Sequence, residues 1–119
     1  MAVIPSEALE VIDKAMYLPM VLTILDRDRS IFEKAPFKLK QPYLTLIEET
    51  IKAVEKDLKE VKFKIKKDSI KVLKIGQNEN FTQYVFYYRG YDEQRDFFKP
   101  RLRNRTQELL EHYLYKRFD

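Results

Sequence analysis

The sequence has no cysteine and no tryptophan, only two glycines, and a single histidine among 119 residues. Without cysteine there are no disulfides and no thiolate chemistry, and the redox compartment leaves no mark on the chain. Two glycines are too few for the glycine-rich loops that cradle phosphates, and they point to long regular elements joined by few turns. No apolar run is long enough to span a bilayer. The opening MAVIPSEALE lacks the basic and apolar regions of a signal peptide, so a soluble cytoplasmic protein is expected, with no membrane partner.

Hydrophobic residues make up 45% of the chain and charged residues 35%, which is enough apolar material for one domain with a core of its own. Aromatics are plentiful, with eight tyrosines and eight phenylalanines. The net charge is only +4, from 23 basic and 19 acidic residues, so the distribution of charge carries more information than its sum.

Residues 6–25 read as helix. Ser6 is a candidate N-cap with Glu7 and Glu10 behind it, and Leu9, Ile12 and Met16 share a face. Pro19 is expected to end or kink this helix, which resumes through Leu18, Val21, Leu22 and Leu25. Asp26 to Arg29 should close it, and the segment from Pro36 to Pro42 reads as a connector. The clearest element follows: Leu44, Ile47, Ile51, Val54, Leu58 and Val61 alternate three and four residues apart. A seam this narrow suits helix packing within the fold or between two subunits. Glu48 with Lys52 and Glu55 with Lys59 stand in the favourable order for pairs along a helix.

After Val61 the period shifts towards two, through KFKIKKDSIKVLKIG at 62–76. Residues 69–75 and 81–89 are expected to form a β-hairpin around the turn cluster GQNEN, and FTQYVFYYR is the best strand in the chain. Gly90 reads as a breaker and Asp92 as a possible N-cap. Pro100 fits the first turn of a last helix that carries Leu102, Thr106, Leu109 and Tyr113 to about Arg117. The expected fold is a single α+β domain: a helical N-terminal half, one antiparallel β-hairpin and a long C-terminal helix.

Catalytic chemistry has little to stand on. His112 lies mid-helix, no serine sits in a nucleophile elbow, and one imidazole with carboxylates is a poor zinc set. Asp26 with Asp28, or Glu48 with Glu49, would point apart on a helix rather than share a magnesium ion. No enzyme, metal or small-molecule cofactor is expected.

Two basic clusters are the candidate site. Lys62, Lys64, Lys66, Lys67, Lys71 and Lys74 face a single acid, Asp68, over residues 62–74. Lys99, Arg101, Arg103 and Arg105 open the last helix, where cations oppose the helix dipole. Phosphate contacts account for both clusters, and Tyr87 or Tyr88 on the hairpin could stack on unpaired bases. The ordinary alternative is a solvated strand edge protected by lysine, with the aromatics in the core. A winged-helix arrangement matches the order of elements. It fails at the helix before the hairpin, which presents Glu48, Glu49, Glu55, Asp57 and Glu60 where phosphates would lie.

Residues 81–114 carry an aromatic strand, the Arg89-Gly90-Tyr91 junction and an aromatic-Lys-Pro-Arg step before a Leu-rich helix. Here the chain resembles small uncharacterised proteins of phages and prophages in Gram-positive bacteria. The resemblance implies a small accessory protein in replication, gene regulation or host takeover, and assigns no residue a role. The reading that follows is a non-enzymatic accessory or regulatory protein that binds nucleic acid. The competing reading is a protein-interaction module, a homodimer or an adaptor, using Ile47, Ile51, Val54 and Leu58 or the patch of Phe97, Phe98, Tyr113 and Phe118.

Overall fold

The computed structural model describes residues 4–116, in the order α1 (Ser6–Lys34), α2 (Gln41–Lys67), β1 (Ile70–Gln77), β2 (Phe81–Tyr88), β3 (Tyr91–Phe98) and α3 (Lys99–Tyr115). The α+β class expected from the sequence is what the chain adopts. Its internal boundaries differ in four places, each for a physical reason.

Helix α1 runs unbroken through Pro19. Proline removes one backbone donor and crowds the preceding turn. Here its ring lies on the exposed side, while Met16, Tyr17, Leu18, Val21 and Leu25 are buried around it. Tertiary burial on both sides of the proline outweighs the lost bond. Polar residues 26–29 do not close the helix either, because Phe32 beyond them stacks on Phe37 at 5.3 Å and Tyr43 at 5.8 Å and so ties α1 to the start of α2. Pro5, not Ser6, occupies the N-cap position, with no side-chain cap bond. Replacing Pro19 with Ala is expected to stabilise the chain by about 1–2 kcal/mol, a gain readable as a higher urea midpoint at unchanged slope.

Helix α2 continues to Lys67, six residues beyond the end of its apolar seam, so Lys62, Lys64, Lys66 and Lys67 are helical and only Lys71 and Lys74 belong to a strand. Lys64, Lys66 and Lys67 sit in its last turn, where cations favour the helix dipole.

The hairpin is the first half of a three-stranded antiparallel sheet in the order β1-β2-β3. Residues 91–98 form the third strand, and Asp92 lies within it rather than capping a helix. Arg89 and Gly90 make the two-residue connection, at φ of 46° and 87°, with Tyr88 opposite Tyr91. Positive φ at both central residues is the turn whose twist suits a tight hairpin, and Gly90 supplies half of it without strain. At the other connection the Asn78 carboxamide oxygen accepts from the backbone N–H of Asn80 and of Phe81.

Ile70, Tyr84 and Phe86 on one sheet face pack on Ala8, Ile12, Met16 and Tyr17 of α1 and Leu102 of α3. A second cluster, Leu18, Val21 and Leu25 with Ile47, Val54, Leu58, Val61 and Tyr113, joins the three helices. Pro100 sits in the first turn of α3, as expected from the sequence. The radius of gyration is 16.4 Å. A compact chain of this length would have about 13.5 Å, so the fold is elongated.

Candidate nucleic-acid interface

Each element aims its cations differently. On α2 the buried residues Ile47, Thr50, Val54, Leu58 and Val61 define the inner side. At 3.6 residues per turn, Lys52, Lys56, Lys59, Phe63 and Lys66 fall three and four apart along the opposite side, flanked by Lys62 and Lys67. All seven are exposed, Phe63 at 69%. Glu55 is the one acid inside this row, and Glu60 borders it. None of these lysines comes within ion-pair distance of a carboxylate among the described residues, and the expected pairs Glu48–Lys52 and Glu55–Lys59 do not form. Glu48 is instead taken by Arg29 at 3.3 Å. The row is about 22 Å long at 1.5 Å per residue, and a parallel stretch of duplex carries about 13 phosphate charges.

Three of these lysines, Lys52, Lys56 and Lys59, are not among the candidate binding residues read from the sequence. Their signal was present as the 3–4 spacing, but it joins Lys62, Lys66 and Lys67 only when residues 62–67 are helical. Lys64 leaves the row. It lines a hollow of about 540 Å³ with Glu7, Glu10, Asp57, Glu60 and Asp68. Lys71 and Lys74 are exposed on β1, on alternate faces of the sheet.

The second basic cluster does not join the first. Arg101 and Arg105 line a different hollow, with Asp13, Tyr17, Arg95, Asp96 and Phe98. That hollow meets the sheet at Phe81, whereas the one lined by Lys64 meets it at Tyr88. These are the two ends of β2, about 23 Å apart at 3.3 Å per residue. Arg105 is also engaged, by Asp13 at 3.7 Å and Glu108 at 3.3 Å. Arg103 turns to an apolar groove beside Met20, Ile24 and Leu110, and Lys99 is half-buried.

The hairpin tyrosines divide as well. Tyr88 is half-buried against the core with the Arg89 guanidinium 5.3 Å from its ring, and Tyr84 is buried. Tyr87 is 39% exposed on the far face of the sheet, next to Lys71. The proposed interface residues Ile47, Val54, Leu58 and Tyr113 are buried within the chain, with Ile51 packed against them, so the seam is an internal one. Phe97 is half-buried, its ring edge-on to Tyr84 at 5.8 Å, and Phe98 is exposed. Phe118 lies outside the described residues.

A family model described as YhjD protein matches residues 3–118. The chain belongs to the YhjD family. It is 40% identical over 109 residues to the "Uncharacterized protein YhjD" of Bacillus subtilis (strain 168), covering 92% of this chain and 91% of that relative. No solved structure matches it. The likeness to small uncharacterised proteins noted at residues 81–114 thus extends along nearly the whole of this YhjD-family chain, and neither comparison carries a phage origin. No helix among its described residues is long and apolar enough to cross a membrane.

Proposed function

We propose that this YhjD-family protein is a non-enzymatic accessory protein that binds nucleic acid through the outward row of α2. The observation that carries the reading is the row itself: six exposed lysines on one helix face, with one acid among them and no ion pairs to any described residue. The helix dipole accounts for cations in the last turn only, and so leaves Lys52, Lys56 and Lys59 to another cause. Phosphates are such a cause, since each contact releases a condensed counterion. Phe63, exposed in the middle of the row, takes over the stacking role first considered for Tyr87 and Tyr88, and it favours unpaired bases over duplex. The likeness of residues 81–114 to phage and prophage proteins supports an accessory or regulatory setting for this activity.

Fluorescence anisotropy with a single-stranded oligonucleotide at stepped salt tests the reading. Binding should weaken with a log–log slope of about −3 to −4, and each of Lys56→Ala and Lys59→Ala should flatten the slope by about 0.7. Phe63→Ala should cost about 1–3 kcal/mol on single strands and leave duplex binding unchanged. Absence of binding at low salt would overturn the proposal, as would equal weakening by Arg103→Ala, which lies off the row.

A further inference from the structure

The sheet has one face that the fold does not use. Cross-strand register divides the strands into two sets of rows. The inner rows carry Ile70, Val72, Tyr84, Phe86, Tyr88 and Phe97, all of them in or against the core. The outer rows are Lys71–Tyr87–Asp92, Leu73–Val85–Gln94, Gly76–Gln83–Asp96 and Phe81–Phe98. No outer-row residue belongs to either core cluster. Yet the face is apolar along its length: Leu73 is 43% exposed, Phe81 39%, Tyr87 39% and Phe98 49%, and the bulge residue Ile75 beside them is 50% exposed. Val85 at its centre is covered only by its neighbours. An antiparallel sheet with one solvated face ordinarily turns polar residues outward. This one turns hydrophobic residues outward and keeps its charges at the two edges.

Those charges are of opposite sign. On this face β1 carries Lys71 with no acid, and β3 carries Asp92 and Asp96 with no base. Lys71 and Asp92 share a row, two strands apart by roughly 10 Å, too far to pair within one chain.

We infer that this outer face is where a second copy of the chain packs, sheet on sheet, about a two-fold axis lying in the interface parallel to β2. That axis lays β1 of each copy over β3 of the other and keeps the rows level. Lys71 of one copy then meets Asp92 of the other, and the pair forms twice by symmetry. Val85 packs near its own symmetry mate, with Leu73, Tyr87 and Phe81 around it, at the usual separation of about 10 Å between stacked sheets. Two copies turned about the perpendicular in-plane axis would stack β1 on β1 and β3 on β3, setting like charges together, and the edge charges therefore select the first arrangement. The footprint is roughly 26 by 14 Å, small beside the ~800 Å² per partner of a standard interface, so the dimer forms weakly and dissociates on dilution. This inference is independent of the lysine row, which lies on a helix behind the other face.

Sedimentation velocity of the full chain across the micromolar range reads the result directly. The parent chain should pass from monomer to dimer as concentration rises. Leu73→Glu places a charge at an exposed edge-strand position that solvent already reaches, and should leave the chain monomeric and folded by circular dichroism. Lys71→Glu alone, or Asp92→Lys alone, should weaken association about tenfold, and the two together should restore it. A chain that stays monomeric throughout overturns the inference. So does a dimer indifferent to Leu73→Glu, or a double swap no better than either single.

Discussion

Replacing Phe86 with Ala is expected to cost about 3–5 kcal/mol, the range for deleting a large buried aromatic side chain. Phe86 is 2% exposed at the middle of β2, and it is the largest fully buried side chain among the described residues. Its ring lies 6.2 Å from that of Phe97 and carries the Arg95 guanidinium 5.6 Å from its centroid. Through the same cluster it meets Ile12, Met16 and Leu102, so one ring joins the central strand to α1 and α3. The ring is flanked on its own face by Val72 and Glu93, which the sheet register holds in place. A domain of this size should lose roughly 10–25 °C from its melting temperature. Leu73→Ala, on the outer face of β1, provides the contrast and should cost less than about 1 kcal/mol. Comparable losses at the two sites would mean that the sheet is not anchored through its inner face.

The errors and successes of the sequence reading have distinct causes. The α2 seam was legible because Ile47, Val54, Leu58 and Val61 repeat at a spacing that only a helix brings to one side. Its final turn was not, because Lys62, Lys64 and Lys66 alternating with Phe63 and Ile65 satisfies a period of two equally well. Burial on α1 and β1 decided the matter by holding Val61 and Ile65 on the seam side. Strand β3 was hidden twice over. YDEQRDFF is half charged, and its turn uses Arg89 where asparagine or aspartate would have signalled a tight hairpin. The strand exists because it pairs along the whole of β2 and brings Phe97 onto the core. The candidate site was visible only as composition. That Arg105 is spoken for by Asp13, 92 positions earlier, is a tertiary fact with no local trace. The lysine row, by contrast, was written in the spacing and needed only the correct end of α2 to be read.

Stability is expected to collapse above about pH 10, faster than surface charge alone would bring. Burial raises Tyr17, Tyr84 and Tyr113 above the ordinary tyrosine value of 10.0. Asp13 adds to the effect at Tyr17. At Tyr113 the added cause is Asp57, whose carboxylate accepts a 2.5 Å hydrogen bond from the phenol. All three stay neutral in the folded chain at pH values where the unfolded chain ionises them. The unfolded state then binds fewer protons than the folded one, so the free energy of unfolding falls as pH rises. Below the unfolded value near 10 the contribution is complete. Above it each tyrosine lowers the free energy of unfolding as pH rises, until its own folded value is reached. Urea titrations from pH 9 to about 11.5 measure the slope, and the part of the phenolate absorbance near 295 nm that is due to the three buried tyrosines should rise together with the loss of helix. Tyr84→Phe, which keeps the buried ring and sheds only the hydroxyl, should reduce the slope by about a third. Tyr113→Phe should do the same, and should also cost about 1–2 kcal/mol at neutral pH, because the partly buried Asp57 carboxylate loses its donor. A slope unchanged by both substitutions would place the alkaline transition elsewhere in the protein.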